Sequence, residues 1–121
     1  MDLAEQLKRR TKTVAIKIIK VCRLLPNSSE FWIIQKQIIR SATSVAANYR
    51  AVCRARSDNE FYSKLCIVVE ELDETLFWLE LLLDLETLNP NEIREIESEV
   101  KELLSMLASS KKSMRLRLNT Q

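Results

Sequence analysis

Arg40, Ser41, Ser44 and Asn48 are the residues of this chain whose types and spacing most invite chemistry. Arg40, Ser44 and Asn48 are four apart, so on a helix they lie along one stripe. A solvated stripe would carry Lys and Glu, and a plain core Leu and Ile. Small polar residues there predict close helix contact with buried hydrogen bonds. Further along, Glu70, Glu71 and Glu74 bring three carboxylates together in sequence. Two chemistries suit them: a metal or acid–base site, or an ion-pair network that fixes helix register. The chain has no histidine. That removes Ser-His-Asp and Cys-His catalysis in cis, His-ligated zinc and haem, and the Glu-x-x-His di-iron pattern. It also has no glycine, which removes the glycine-rich phosphate loops. Cys22, Cys53 and Cys66 are scattered among apolar residues without metal or redox spacing, and each reads as a reduced core residue. The expectation is a chain that is not an enzyme, with no cofactor, no metal and no catalytic residue. Its carboxylates are expected to serve structure.

The elements that must carry these residues are helical. Without glycine, β-turns and bulges lose their usual residue. Apolar residues recur at three- and four-residue spacing throughout. Leu3, Leu7, Val14, Ile18, Cys22 and Leu25 mark a helix over about 2–25, ended by Pro26-Asn27-Ser28-Ser29. Phe31, Ile34, Ile38, Ala42, Val45, Tyr49 and Val52 mark one over about 30–54. Ser57-x-x-Glu60 is a capping box for a third, over about 58–88, with Phe61, Leu65, Val68, Leu72, Leu76, Leu79 and Leu83 inward. Asn89-Pro90 opens a fourth, over about 90–116, with Ile93, Ile96, Val100, Leu103 and Leu107 in heptad spacing. Residues after about Leu116 are expected to fray. Short connections make successive helices antiparallel neighbours. The prediction is an all-α, up-down-up-down antiparallel four-helix bundle forming one domain over 1–121. No apolar run is long enough to span a bilayer. An odd cysteine count without a leader-like segment points to the cytoplasm.

The third helix is apolar on more than one side. Beyond its stripe it carries Tyr62, Cys66, Val69, Phe77, Leu81, Leu82 and Leu85, and the second adds Trp32, Ile33 and Ile39. A monomeric bundle helix needs only about 100° of apolar arc. The surplus predicts a homo-oligomer, with a wide core on a thick bundle as the other reading.

The charges are unevenly placed. Residues 1–56 hold twelve basic and three acidic residues, residues 57–108 three basic and fourteen acidic, and residues 109–121 four basic and none acidic. Antiparallel packing sends Lys8, Arg9, Arg10 and Lys12, then Arg50, Arg54 and Arg56, then Lys111, Lys112, Arg115 and Arg117, to one end. The other end collects Asp84, Glu86, Glu92, Glu95 and Glu97. Helix dipoles favour cations at the C-terminal ends of helices two and four, but not Lys8 to Lys12, near a helix N-terminus. Like charges crowded together repel unless an anion uses them. Phosphate-backbone binding needs basic residues and no base-reading site, so these eleven are the candidate nucleic-acid contacts, with RNA the favoured ligand. The alternatives are a solvated face that aids solubility and a protein-interaction scaffold whose basic end meets an acidic partner. With the turn between helices two and three near Arg56, Arg40 is predicted to pair with Glu71, and with Glu74 next. Trp78 reads as a packing anchor.

The run Arg40-Ser41-Ala-x-Ser44-x3-Asn48, then Glu60-Phe61, then Glu71-x2-Glu74-Thr75-x2-Trp78-Leu79 resembles the bacterial four-helix bundle family, also called the 23S ribosomal RNA intervening-sequence protein family. The likeness spans nearly the whole chain. Many members follow the asparagine with a Glu-Gly pair, where this chain has Arg50-Ala51-Val52-Cys53-Arg54. The resemblance implies a closed up-down bundle assembling into a homopentameric ring, with no known catalytic activity. A related branch comprises accessory proteins of diversity-generating retroelements, which bind a reverse transcriptase and nucleic acid. It implies, as an alternative function, an accessory subunit for such an enzyme.

Overall fold

The structure, a computed structural model, describes residues 1–87 and 89–121. Its elements are four helices in succession, α1 (Leu3–Cys22), α2 (Ser29–Cys53), α3 (Asp58–Asp84) and α4 (Pro90–Asn119). Each packs on the next, and α1 closes the bundle against α4 along its sparsest seam. No helix is long and apolar enough to cross a membrane.

The helix ends follow local chemistry. Asp2 caps α1, its carboxylate accepting from the Glu5 N–H at 2.8 Å. α1 stops at Cys22, short of the predicted Leu25, because Pro26 disfavours helical backbone at the residue before it. The chain tightens instead, with the N–H of Leu24 donating to the Val21 carbonyl at 2.9 Å and that of Leu25 to Cys22 at 3.2 Å. Ser57 caps α3 by accepting from the Glu60 N–H at 3.0 Å. Glu60's carboxylate turns to Arg56 at 3.8 Å, so this is half of a capping box. Ser28 sits at the N-cap of α2 without a side-chain cap bond.

The predicted limit of the third helix, Leu88, lies outside the described residues; α3 ends at Asp84. In a chain without glycine, two other residues turn the corner into α4. Glu86 (φ 55°) and Asn89 (φ 62°) both occupy the left-handed region. Asn tolerates it; Glu carries a Cβ clash worth about 1–2 kcal/mol. Glu86→Gly is therefore expected to raise stability, by less than about 1 kcal/mol once glycine's greater unfolded-state freedom is counted. A urea melt with unchanged slope checks it. α4 continues past the predicted end to Asn119.

The core holds one stripe from each helix. Ile34, Ile38, Ala42, Val45, Tyr49 and Val52 of α2, and Ile93, Ile96, Val100, Leu103 and Leu107 of α4, are buried. On α3 the buried stripe is Leu65, Val68, Leu72, Thr75, Leu79 and Leu82, an unbroken three-four alternation. Leu82 therefore belongs to the core and not to the surplus, while Leu83 and Leu76 are half-buried. On α1, Leu3 is exposed and Thr11 takes a core place, its hydroxyl donating to the Leu7 carbonyl at 2.9 Å. Cys22 is buried, Cys66 half-buried and Cys53 exposed, which corrects the uniform core reading of the three thiols. Burial pushes the Cys22 thiol up to about 11, leaving it unreactive.

Candidate nucleic-acid interface

The polar stripe of α2 does three separate jobs. Ser41 is fully buried and faces Thr75 of α3, their hydroxyl oxygens 2.8 Å apart. The Thr75 hydroxyl donates to Ser41, which in turn donates to its own helix at the Ile38 carbonyl, 3.2 Å away. Both buried groups are satisfied, and the pair pins α2 against α3 in a single register. Ser44 and Asn48 bond within α2, the Asn48 amide donating to the Ser44 carbonyl at 2.9 Å and hydroxyl at 3.0 Å. Arg40 crosses the surface to α3, donating through Nη1 to Glu71 at 3.1 Å and through Nη2 to Glu74. Trp78 donates from Nε1 to the same Glu74 oxygen at 3.2 Å and sets its ring edge-on to Phe77. The two carboxylates thus have a cation and an indole as partners. Among the described residues, no three His, Cys, Asp or Glu side chains gather as a metal site.

The basic residues divide. A groove of about 720 Å³ runs between the first half of α1 and the second half of α2. Lys8, Arg9 and Lys12 line it from α1 and Arg50 from α2, with Glu5 at its edge. The rest of its lining is Ala15, Thr43, Ala46 and Ala47, small residues that leave room between the basic side chains. Lys8 is paired with Glu5 at 2.6 Å, whereas Arg9, Lys12 and Arg50 are exposed and make no ion pair among the described residues. Arg50 also lines an adjoining hollow with Arg54 toward the end of α2, where Glu60 of α3 joins them.

Arg10 does not belong to this surface. It turns the other way, into the seam with α4, where Nε and Nη2 fork onto the Glu99 carboxylate at 2.9 and 2.7 Å. Nη2 also reaches Glu102 at 3.2 Å. The α4 cluster is not gathered in the groove either. Arg117 reaches across to Asp58 of α3 at 3.2 Å. Arg115 is exposed on the same stretch of α4. Lys111 is half-buried and Lys112 exposed, both beyond Leu107, the last core residue of α4. Arg56 is exposed beside Glu60. Two of the three basic clusters meet, and Arg117 of the third reaches to α3. The reason is connectivity: α1 and α2 share one side of the bundle, α3 and α4 the other. The charge division therefore lies across the bundle as well as along it.

Sequence reasoning quotes Thr75 only within the family motif and gives no place to Thr11, Glu99 or the small residues of the groove. Thr75 had a signal, since it falls on the three-four spacing between Leu72 and Leu79. Glu99 had none, because no turn joins α1 to α4 and fixes their register. The Arg10 hydrogen bond holds Glu99 below the ordinary value of 4.5, and Glu99 in turn raises Arg10. A carboxylate whose folded pKa is depressed stabilises the fold above its unfolded pKa and loses that contribution as pH falls through the folded one. Stability is thus expected to decline below about pH 4.5. In Glu99→Gln the decline is expected to be shallower, which urea melts from pH 7 to 3 would show.

A closed up-down bundle pinned by an Arg–Glu and Ser–Thr crossing, with a basic groove on one side, defines the class of protein. The description 23S rRNA-intervening sequence protein matches residues 5–109, and the chain belongs to that family. The crystal structure of a protein of unknown function of the S23 ribosomal protein family from Bacteroides thetaiotaomicron VPI-5482 is similar to it, at 32% identity and TM-score 0.80, covering 90% of this chain and 97% of that one. No curated protein matches the sequence.

Proposed function

We propose that this chain is a non-enzymatic, homo-oligomeric bundle of the cytoplasm that associates with nucleic acid, RNA first, through the groove between α1 and α2. The observation that carries the reading is the convergence of Arg9, Lys12 and Arg50, exposed and unpaired, on one concave surface with Lys8. Concave basic surfaces concentrate phosphate and speed its capture. The family's description, which ties its members to an intervening sequence of 23S rRNA, makes RNA the polyanion to try first. Glu71 and Glu74, the carboxylates best placed for acid–base work, are engaged by Arg40, which supports a structural role for them.

Self-assembly draws support from Trp32, Ile33 and Phe77, which are 57, 62 and 53% exposed on α2 and α3. In a homopentameric ring, five copies of the groove would act together and bind far more tightly than one. The same apolar residues favour a second reading, a scaffold for a protein partner such as a reverse transcriptase.

Filter binding of structured RNA from 0.05 to 0.5 M salt tests the first reading. Affinity should fall linearly on logarithmic axes, steeply for several phosphate contacts. Absence of binding at low salt, or a flat dependence, removes it. Light scattering with and without nuclease tests assembly: a mass that collapses to 14.1 kDa after nuclease would mean that nucleic acid alone held the copies together.

A further inference from the structure

We propose that the α1/α2 groove takes the phosphate backbone of double-helical RNA in preference to single strands. This rests on the nucleic-acid reading above and adds the class of ligand.

The composition of the groove carries the argument. Its lining has four cations, one carboxylate (Glu5, paired with Lys8), three alanines and a threonine, with no aromatic residue. The Thr43 hydroxyl already donates within its helix, to the Ile39 carbonyl at 2.7 Å. The groove therefore offers charge and shape, but no aromatic stacking platform and no side-chain amide to read a base edge. The tryptophans are engaged elsewhere. Trp32 donates to Asn27 in the α1–α2 turn, at the far end of α2, and Trp78 is held by Glu74. Tyr49 is buried.

Surfaces that hold single strands draw about 1–3 kcal/mol per base from aromatic stacking. This groove has no aromatic residue to supply that term, and its two arginines are the only side chains of its lining that could stack on a base. What remains is attraction to phosphate, and it grows with charge density. Double-stranded DNA carries one charge per about 1.7 Å of axis, twice the density of one of its strands, and returns more counterions per contact; double-helical RNA is likewise denser in charge than a single strand. Lys8 and Lys12 are one helical turn apart, about 6 Å along α1, and Arg50 faces them from α2. Cations on both walls suit a ridge of phosphates laid along the groove, whose position in double-helical RNA is fixed in advance. A flexible strand would lose its freedom on binding without gaining a stacked base in return.

Fluorescence anisotropy at 0.1 M salt decides it, comparing the full chain on a labelled 20-base-pair RNA hairpin with an unstructured oligouridine carrying the same number of phosphates. The duplex is expected to bind at least tenfold tighter, and the Arg9→Gln/Lys12→Gln/Arg50→Gln variant to lose most affinity for both. These side chains are exposed and unpaired, so the variant keeps its helical circular dichroism. Oligouridine bound as tightly as the hairpin, with both lost in the variant, overturns the duplex preference and leaves the nucleic-acid reading standing. Failure of the wild type to bind either probe overturns both.

Discussion

Removing the three unpaired cations of the groove, by changing Arg9, Lys12 and Arg50 to glutamine together, is expected to weaken RNA binding about 10²-fold at 0.15 M salt. The figure follows from counterion release. Each phosphate neutralised on a duplex adds about 0.9 to the logarithmic salt slope. Without these three cations the slope flattens by nearly three, and the gap between variant and wild type closes as salt approaches 1 M. A defect of folding would not close that way. Two comparisons sharpen the result. Lys36→Gln, an exposed cation of α2 that does not line the groove, should leave affinity nearly unchanged. Arg10→Gln should weaken the fold more than the binding, because Arg10 is engaged by Glu99 and Glu102. If the triple variant binds RNA like the wild type, the groove is not the binding surface.

The largest effect on stability is expected from Leu72→Ala. Leu72 is 0% exposed and sits mid-stripe on α3, between Val68 and Thr75. Truncation removes three carbons from a packed interior and leaves a void that four helices cannot close without shifting. Such changes cost about 2–5 kcal/mol. For a domain of this size that lowers the melting midpoint by about 10 °C or more. The instructive partner is Thr75→Val, which keeps the shape and deletes the hydroxyl. Ser41 retains the Ile38 carbonyl as an acceptor, so no buried donor is stranded, and the cost is expected near 1 kcal/mol. Melts at fixed protein concentration check both, since an oligomer's midpoint moves with concentration.

What can be read from the sequence, and what cannot, follows from the range of each signal. Helical period is local, so the four helices and most buried positions of α2 and α4 are legible. Turn chemistry is local too, yet it depends on which residue accepts the left-handed conformation. Nothing in Glu86 announces that, and so α3 ends earlier than its sequence suggests. The stripe of α3 is legible at Leu65, Val68, Leu72 and Leu79 and slips by one residue at Leu76 and Leu83. Choosing the apolar Leu76 over Thr75 leaves out the position that continues the alternation Leu72, Thr75, Leu79, Leu82, and the run Leu81-Leu82-Leu83 then offers no preference. The juxtaposition of Arg40 with Glu71 and Glu74 is legible because one short turn sets the register of α2 on α3. The fate of Arg10 is not, since its partners lie on a helix that meets α1 only through the closed bundle. The same blindness applies to Arg117, which shares an end with the groove but reaches toward Asp58.

The side-to-side separation of charge has a practical corollary at the bench. With a formal net charge of +2, this protein would be expected to adhere weakly to any ion-exchange resin. A molecule with one cationic flank and one anionic flank instead presents each resin with the flank it prefers. At neutral pH and low salt, both sulfonate and quaternary-amine columns should retain it. Elution from the sulfonate column should come earlier when Arg9, Lys12 and Arg50 are neutralised, while its position on the other column holds or moves later.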